Sequence, residues 1–292
     1  GQFYGPALEF VKRGYVVIAP NRMGYSKSGG RYIEGCEMTS MGQTWADDVV
    51  AAIDYARKLP YVDASRIVLV GQSQGGFVSV ALGSRNLPGV LGIIDFAGGM
   101  RNDNCVAWEQ SVINAFGTYG KTSRVPALFF YGDNDSYFAQ PLPHQFLKAY
   151  NDAGGHATMI EVGVWKDNSH LLFHKYDGTQ VWIPPVEKFL AGLGLPYQVS
   201  AKPESSSGLP DVEDVFALSE IVHEKQSIVE GYEHFLWHSP PKAFAISPDG
   251  HYGSSSGENA QHDAINLCES HTKMICSLYA VDDKVVYRKA GP

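Results

Sequence analysis

Apolar positions recur along the chain with two different periods. Short, nearly continuous β-branched or aromatic runs occupy "YVVIAP" (15–20), "RIVLV" (66–70), "VLGIIDFAG" (90–98), "PALFFYG" (126–132) and "ATMIEVGVW" (157–165). Runs of this length without polar alternation predict strands covered on both faces. Between them, apolar residues return every three or four positions. In "MGQTWADDVVAAIDYARKL", Trp45, Val49, Ile53 and Ala56 fall on one helical face. Similar stretches are "PALEFVKRG", "GGFVSVALGSR", "CVAWEQSVINAFGTYG", "PLPHQFLKAYNDAGG" and "PVEKFLAGLG". Strand and helix in alternation predict an α/β fold, a mostly parallel sheet with helices on both faces. Reactive groups then gather beyond the C-terminal strand ends.

From about Val199 the pattern changes. "SAKPESSSGLPD" is rich in Ser, Pro and Gly and reads as a linker. Beyond it come helical stretches ("EDVFALSEIVHEKQSIVEGYEHFL", "ENAQHDAINLCESH"), a strand and turn ("PPKAFAISPDG") and a closing strand pattern ("CSLYAVDDKVVY"). The predicted organisation is a first domain over 1–198, a linker over 199–210, and a small α+β module over 211–292.

With 292 residues, 44% of them hydrophobic, the chain can bury a substantial core. A formal net charge of −8 without a Lys/Arg run argues against nucleic acid or an anionic membrane as partner. No segment has the apolar length of a membrane span. Four cysteines occur without a Cys-x-x-Cys, so no metal site is expected. They fall as one pair in each predicted domain, Cys36 with Cys105 and Cys268 with Cys276, which predicts two disulfides and a periplasmic or secreted location.

Gly-x-Ser-x-Gly occurs twice, around Ser73 and around Ser255. That spacing places a serine on a sharp turn only where a buried strand enters and a helix leaves. "RIVLV" and "GGFVSVALGSR" flank Ser73 in this way, with Gly71 and Gly75 leaving room around the turn and Gly76 allowing close packing. A Pro-Asp-Gly turn and polar residues precede Ser255, which reads as hairpin or loop. Ser73 is the candidate nucleophile. It needs a base and an acid, which a parallel-sheet hydrolase supplies from later strand ends in the order Ser, Asp or Glu, His. "PALFFYG" is followed by Asp133 and Asp135, and "ATMIEVGVW" by His170 and His174. His144 and His156 read as structural.

The stretches "RGYVVIAPNRMGYSKSGG", "VDASRIVLVGQSQGG", "FFYGDNDSYF" and "DNSH" resemble the α/β-hydrolase superfamily. Within it they are similar to dienelactone hydrolase-like enzymes and prolyl oligopeptidase-type hydrolases. The resemblance covers roughly residues 1 to 196. It implies an α/β-hydrolase fold and a triad of Ser73, Asp135 and His170, with Asp133 as a turn former and His174 as the second choice of base. It implies oxyanion binding by the Gln74 N–H, and no cofactor. Tyr25, Trp108, Tyr137 and Phe138, from loops on the same rim, are candidates to line an acyl pocket. The family's sheet has a further strand between "YVVIAP" and "RIVLV", which this sequence does not contain. An upstream segment or a separate chain is therefore expected to complete the sheet, and the second oxyanion donor stays unassigned. The implied activity is hydrolysis of a carboxylic ester or related small acyl substrate. The alternatives are a peptidase acting on short peptides and an inactive hydrolase fold used for binding. The C-terminal region is similar to small cysteine-bearing modules of exported bacterial proteins.

Overall fold

A computed structural model describes residues 3–25, 28–200, 218, 226–236 and 238–287. It divides into two compact units. One comprises Arg13–Phe173 and Gly178–Gln198; the other comprises Gly1–Lys12, His174–Asp177 and Val199–Pro292. The boundary near 199 coincides with the composition shift, and most of the expected linker, 201–210, lies outside the described residues.

In the larger unit the elements are α2 (Met38–Ala56), β1 (Ile67–Gln72), α3 (Gln74–Gly83), β2 (Val90–Phe96), α4 (Trp108–Thr122), β3 (Ala127–Gly132), α5 (Leu142–Asp152), β4 (Ala157–Gly163) and α6 (Thr179–Gly192). The four strands pair in parallel in the order β1-β2-β3-β4. Every residue of β3 is buried, as its unbroken apolar run requires. Helix α3 is apolar all round, and Gly76 to Gly83 are buried, the mark of a helix enclosed by its neighbours. Phe77, Phe116, Phe129 and Phe146 form the centre of the core, with Phe116 and Phe146 stacked at 4.8 Å.

One expected strand is corrected. "YVVIAP" is not a strand: residues 15–20 have no ladder pairing among the described residues, and Val16, Val17 and Ile18 are 38–49% exposed. An apolar run becomes a strand only beside a partner that takes its backbone groups, and β1 lies at the sheet edge. The first helix, α1 (Tyr4–Lys12), groups with the smaller unit, where Leu8 joins the cluster of Val229, Tyr232, Phe244 and Tyr279. Its apolar face is satisfied there, so proximity in sequence to 13–198 did not decide its place.

The smaller unit adds α7 (Gln226–Leu236), β5 (Lys242–Ile246), β6 (Tyr252–Ser256), α8 (Ala260–Glu269), β7 (Ser277–Val281) and β8 (Lys284–Val285), in an antiparallel sheet of order β6-β5-β7-β8. Ser255 lies within β6, opposite Ala243 of β5. No helix among the described residues is long and apolar enough to cross a membrane.

Both expected cysteine pairs stand at disulfide distance, Cys36 with Cys105 and Cys268 with Cys276. The first closes 69 residues of separation. Replacing Cys36 and Cys105 together by serine is expected to lower unfolding free energy by about 4 kcal/mol, mainly through the unfolded chain. An unchanged denaturant midpoint would refute that contribution.

Candidate active site

Strand β1 runs into Ser73, and α3 leaves from it. Ser73 holds φ 55° and ψ −125°, a backbone region that costs a non-glycine residue on the order of 1–3 kcal/mol. Its surroundings hold it there. The Ser73 N–H donates to the Phe96 carbonyl at the end of β2 (2.9 Å), and the Ser73 carbonyl accepts from Phe77 (3.1 Å) and Gly99 (3.2 Å). A side chain on Gly71 would overlap the Gly75 carbonyl, and one on Gly76 would overlap Asp95 Oδ1. Gly75 differs from expectation: a Cβ there would meet nothing within 4 Å, so crowding does not explain it.

Strands β3 and β4 deliver the other two residues. Asp135 is buried, and its carboxylate meets His170 Nδ1 through Oδ1 at 3.1 Å and Oδ2 at 2.9 Å. Oδ1 also accepts the N–H groups of Tyr137 (2.8 Å) and Phe138 (2.9 Å). Asp133 is exposed, its N–H donating to the Gly163 carbonyl. His170 sits in a 3₁₀ turn, Ser169–His174. His174, the second choice of base, falls in the other unit, its ring edge-on to Phe3.

Three side chains that the motifs did not single out fix this pair. Asn168 Oδ1 accepts from the N–H groups of His170 and Ser136 (both 3.1 Å), and its amide donates to Ser136 Oγ (2.9 Å). Asn134 accepts from the Trp165 N–H (3.0 Å) and donates to the Lys166 carbonyl (2.8 Å). The two asparagines tie the acid loop to the histidine loop. Gln72, immediately before the nucleophile candidate, donates to the His170 carbonyl at 2.9 Å and links that block to β1. Among the described residues no hydrogen bond joins Ser73 Oγ to the imidazole; such bonds tighten when substrate binds.

The Gln74 N–H makes no hydrogen bond among the described residues and lies in the first turn of α3, where N–H groups and the helix dipole favour an anion. The Gln74 side chain is clamped. Its Oε1 accepts from Tyr25 Oη (2.8 Å) and from the Arg22 guanidinium, and its Nε2 donates to Tyr32 Oη (2.8 Å). Burial lowers the Arg22 pKa and raises that of Tyr32.

Of the four expected pocket residues, two flank these groups from exposed positions. Tyr25 contacts Gln74, and the Tyr137 ring centre lies 4.5 Å from that of His170; they are 40% and 50% exposed. Trp108 is half-buried against Phe138. Phe138, at 1% exposure, is packed on Phe146, its ring centre 5.9 Å from that of His170. The neighbouring Asp135 bonds draw the Phe138 backbone inward. No cluster of three His, Cys, Asp or Glu side chains suited to a metal occurs among the described residues.

Residues 3–87 match the prolyl oligopeptidase family. Dipeptidyl-peptidase 5 of Porphyromonas gingivalis is 28% identical over 196 residues, which is 56% of this chain and 28% of that protein. A probable dipeptidyl-peptidase 5 of Aspergillus terreus is 40% identical over 73 residues, 25% of this chain and 10% of that one. The chain thus spans less than a third of the length of these relatives. Among solved structures, an esterase of Pyrococcus furiosus is similar at TM-score 0.49 and 16% identity, over 65% of this chain and 74% of that one. A putative dienelactone hydrolase of Klebsiella pneumoniae is similar at TM-score 0.40 and 14% identity, over 52% and 61%.

Proposed function

We propose that this chain, an α/β-hydrolase and a serine hydrolase of the prolyl oligopeptidase type, cleaves carboxylic acyl bonds through Ser73, His170 and Asp135. The observation that carries the reading is the buried Asp135–His170 pair, aligned on one imidazole nitrogen. A carboxylate on Nδ1 holds the imidazole with that nitrogen protonated, so that Nε2 is the basic one. Ser73 Oγ attacks the acyl carbonyl, and its proton passes to Nε2. The Gln74 N–H binds the oxyanion. His170 then protonates the leaving group, and water, activated by the same imidazole, releases the acid from the acyl-enzyme.

Carboxylic esters are the first substrate class of this reading, because an alkoxide or phenoxide leaves with less proton delivery than an amine. Tyr25 and Tyr137 are proposed to border the acyl group. Peptides form the second reading, favoured by the similarity to dipeptidyl-peptidases. An inactive binding role is not supported by a buried acid–base pair of this kind. The two cysteine pairs support an oxidising compartment, periplasmic or secreted.

Nitrophenyl esters of rising acyl length, run beside dipeptidyl nitroanilides, decide the substrate class. The ester reading expects kcat/KM for the best ester to exceed that for the best dipeptide by at least about tenfold. The reverse order would establish the peptide reading in its place.

A further inference from the structure

Asp95 is a buried carboxyl that the mechanism above does not use. It stands on β2 beside Gly71 of β1, fully enclosed, and its Oδ1 lies against Gly76 of α3 and Gly98 of the loop after β2. Its Oδ2 is 3.2 Å from Tyr131 Oη, on β3, and that hydroxyl is 2.6 Å from the Gly98 carbonyl. A carbonyl oxygen can only accept, so the single proton of Tyr131 lies on the shorter bond. The contact to Asp95 is then a hydrogen bond only if Asp95 is the donor. Asp95 Oδ1, moreover, has no hydrogen-bond partner. An ionised carboxylate would leave that oxygen charged and bare, whereas a neutral acid leaves only a carbonyl.

The bonds continue toward the reaction centre. The carbonyl of Gly98 and the N–H of Gly99 belong to one peptide group, and that N–H donates to the Ser73 carbonyl at 3.2 Å. The Ser73 carbonyl in turn shares a peptide group with the Gln74 N–H. Hydrogen bonds linked in this way polarise one another, and each strengthens the next by some tens of per cent in condensed-phase calculations.

We propose that Asp95 and Tyr131 are positioning residues for the oxyanion donor. Asp95 keeps its proton and donates to Tyr131, Tyr131 donates to Gly98, and two successive peptide groups carry the polarisation to the Gln74 N–H. This rests on the assignment of Ser73 and Gln74 above. Burial, which pushes Asp95 up to about 8, accords with the proton being held at neutral pH. Among the described residues no cation faces Asp95. Tyr131 is the titratable group against it, raised first of all by burial. The Gly98 N–H draws the Asp95 value partly back without making a full hydrogen bond, and Gly71 and Gly76 bring no charge. When Asp95 ionises it becomes an acceptor and turns the Tyr131 proton away from Gly98. It also sets a buried negative charge against Gly76 and Gly98, next to the peptide groups that lead to Gln74. Both effects slow acylation, so the rate falls as pH rises through about 8.

The test follows kcat and KM for a nitrophenyl ester from about pH 6 to about pH 10. The native chain is expected to lose activity above about pH 8. Tyr131→Phe is expected to lower kcat about three- to fivefold, with KM little changed, because the oxyanion donor is weakened and not removed. Asp95→Leu should do the same. Asp95→Asn, whose amide can still donate to Tyr131, should rescue kcat relative to Asp95→Leu and lack the alkaline decline. A native profile flat to about pH 10, or a Tyr131→Phe enzyme with native kcat, would overturn the proposal, and neither result depends on Asp95→Leu folding. Ser73→Ala is run beside them. Full hydrolysis by that variant would bring down the triad assignment and this inference together. An inactive Ser73→Ala with native-like Asp95 and Tyr131 variants would bring down this inference alone.

Discussion

Ser73→Ala is expected to lower kcat by about 10⁴-fold or more, with the fold intact. The hydroxyl is the one group at the turn that can form an acyl-enzyme. Nothing nearby can replace it: Ser79 Oγ is engaged by the Gly75 carbonyl, and the other Gly-x-Ser-x-Gly serine is part of a strand in the smaller unit. Alanine keeps the Cβ and sits in the same strained conformation, so stability should change little. Steady-state hydrolysis together with fluorophosphonate labelling reads the result. Labelling that persists in Ser73→Ala would assign the nucleophile elsewhere.

Asp135→Asn tests the acid, with an expected loss of about 10⁴-fold in kcat at neutral pH. The mechanism of that loss follows from the bonds around the side chain. Asp135 Oδ1 accepts the Tyr137 and Phe138 N–H groups, so an asparagine there is held with its oxygen on those donors. Its NH₂ group then points at His170 Nδ1, which must become an acceptor. The imidazole proton moves to Nε2, and the nitrogen assigned as the base can no longer take a proton. A variant that kept more than about a tenth of native kcat would show that the pair is structural and not catalytic. Asp133→Asn, at an exposed position outside the pair, supplies the control and should behave like the native enzyme.

The parts of this site that were legible in the sequence are those dictated by local chain geometry. An apolar β-branched run that meets Gly-x-Ser-x-Gly and then an apolar helix has few other solutions, and the strand, turn and helix around Ser73 follow it. Chain order and strand ends narrowed the partners to Asp133 or Asp135 and His170 or His174, and the family resemblance selected His170. The choice of Asp135 over Asp133 needed the family resemblance, since both are near the same strand end. What could not be read depends on long-range partners. "YVVIAP" carries the composition of a strand, but composition does not supply a neighbour. Phe138 is in a polar loop and still enters the core, because the Asp135 carboxylate holds its N–H. Asn134, Asn168 and Gln72 are ordinary polar residues until the loops they join are adjacent. Asp48, on α2, likewise accepts the N–H of Met23, distant in sequence, at 2.8 Å.

The asparagine ties carry a kinetic implication. The loops that carry the acid and the imidazole are joined by hydrogen bonds from asparagine side chains to main chain, so their alignment owes nothing to an arriving molecule. The serine is mounted at the end of β1, linked to those loops by the sheet ladders and by the Gln72 side chain. In the proposed mechanism the acid–base pair is therefore aligned before a substrate binds, and little reorganisation is left for the moment of bond breaking.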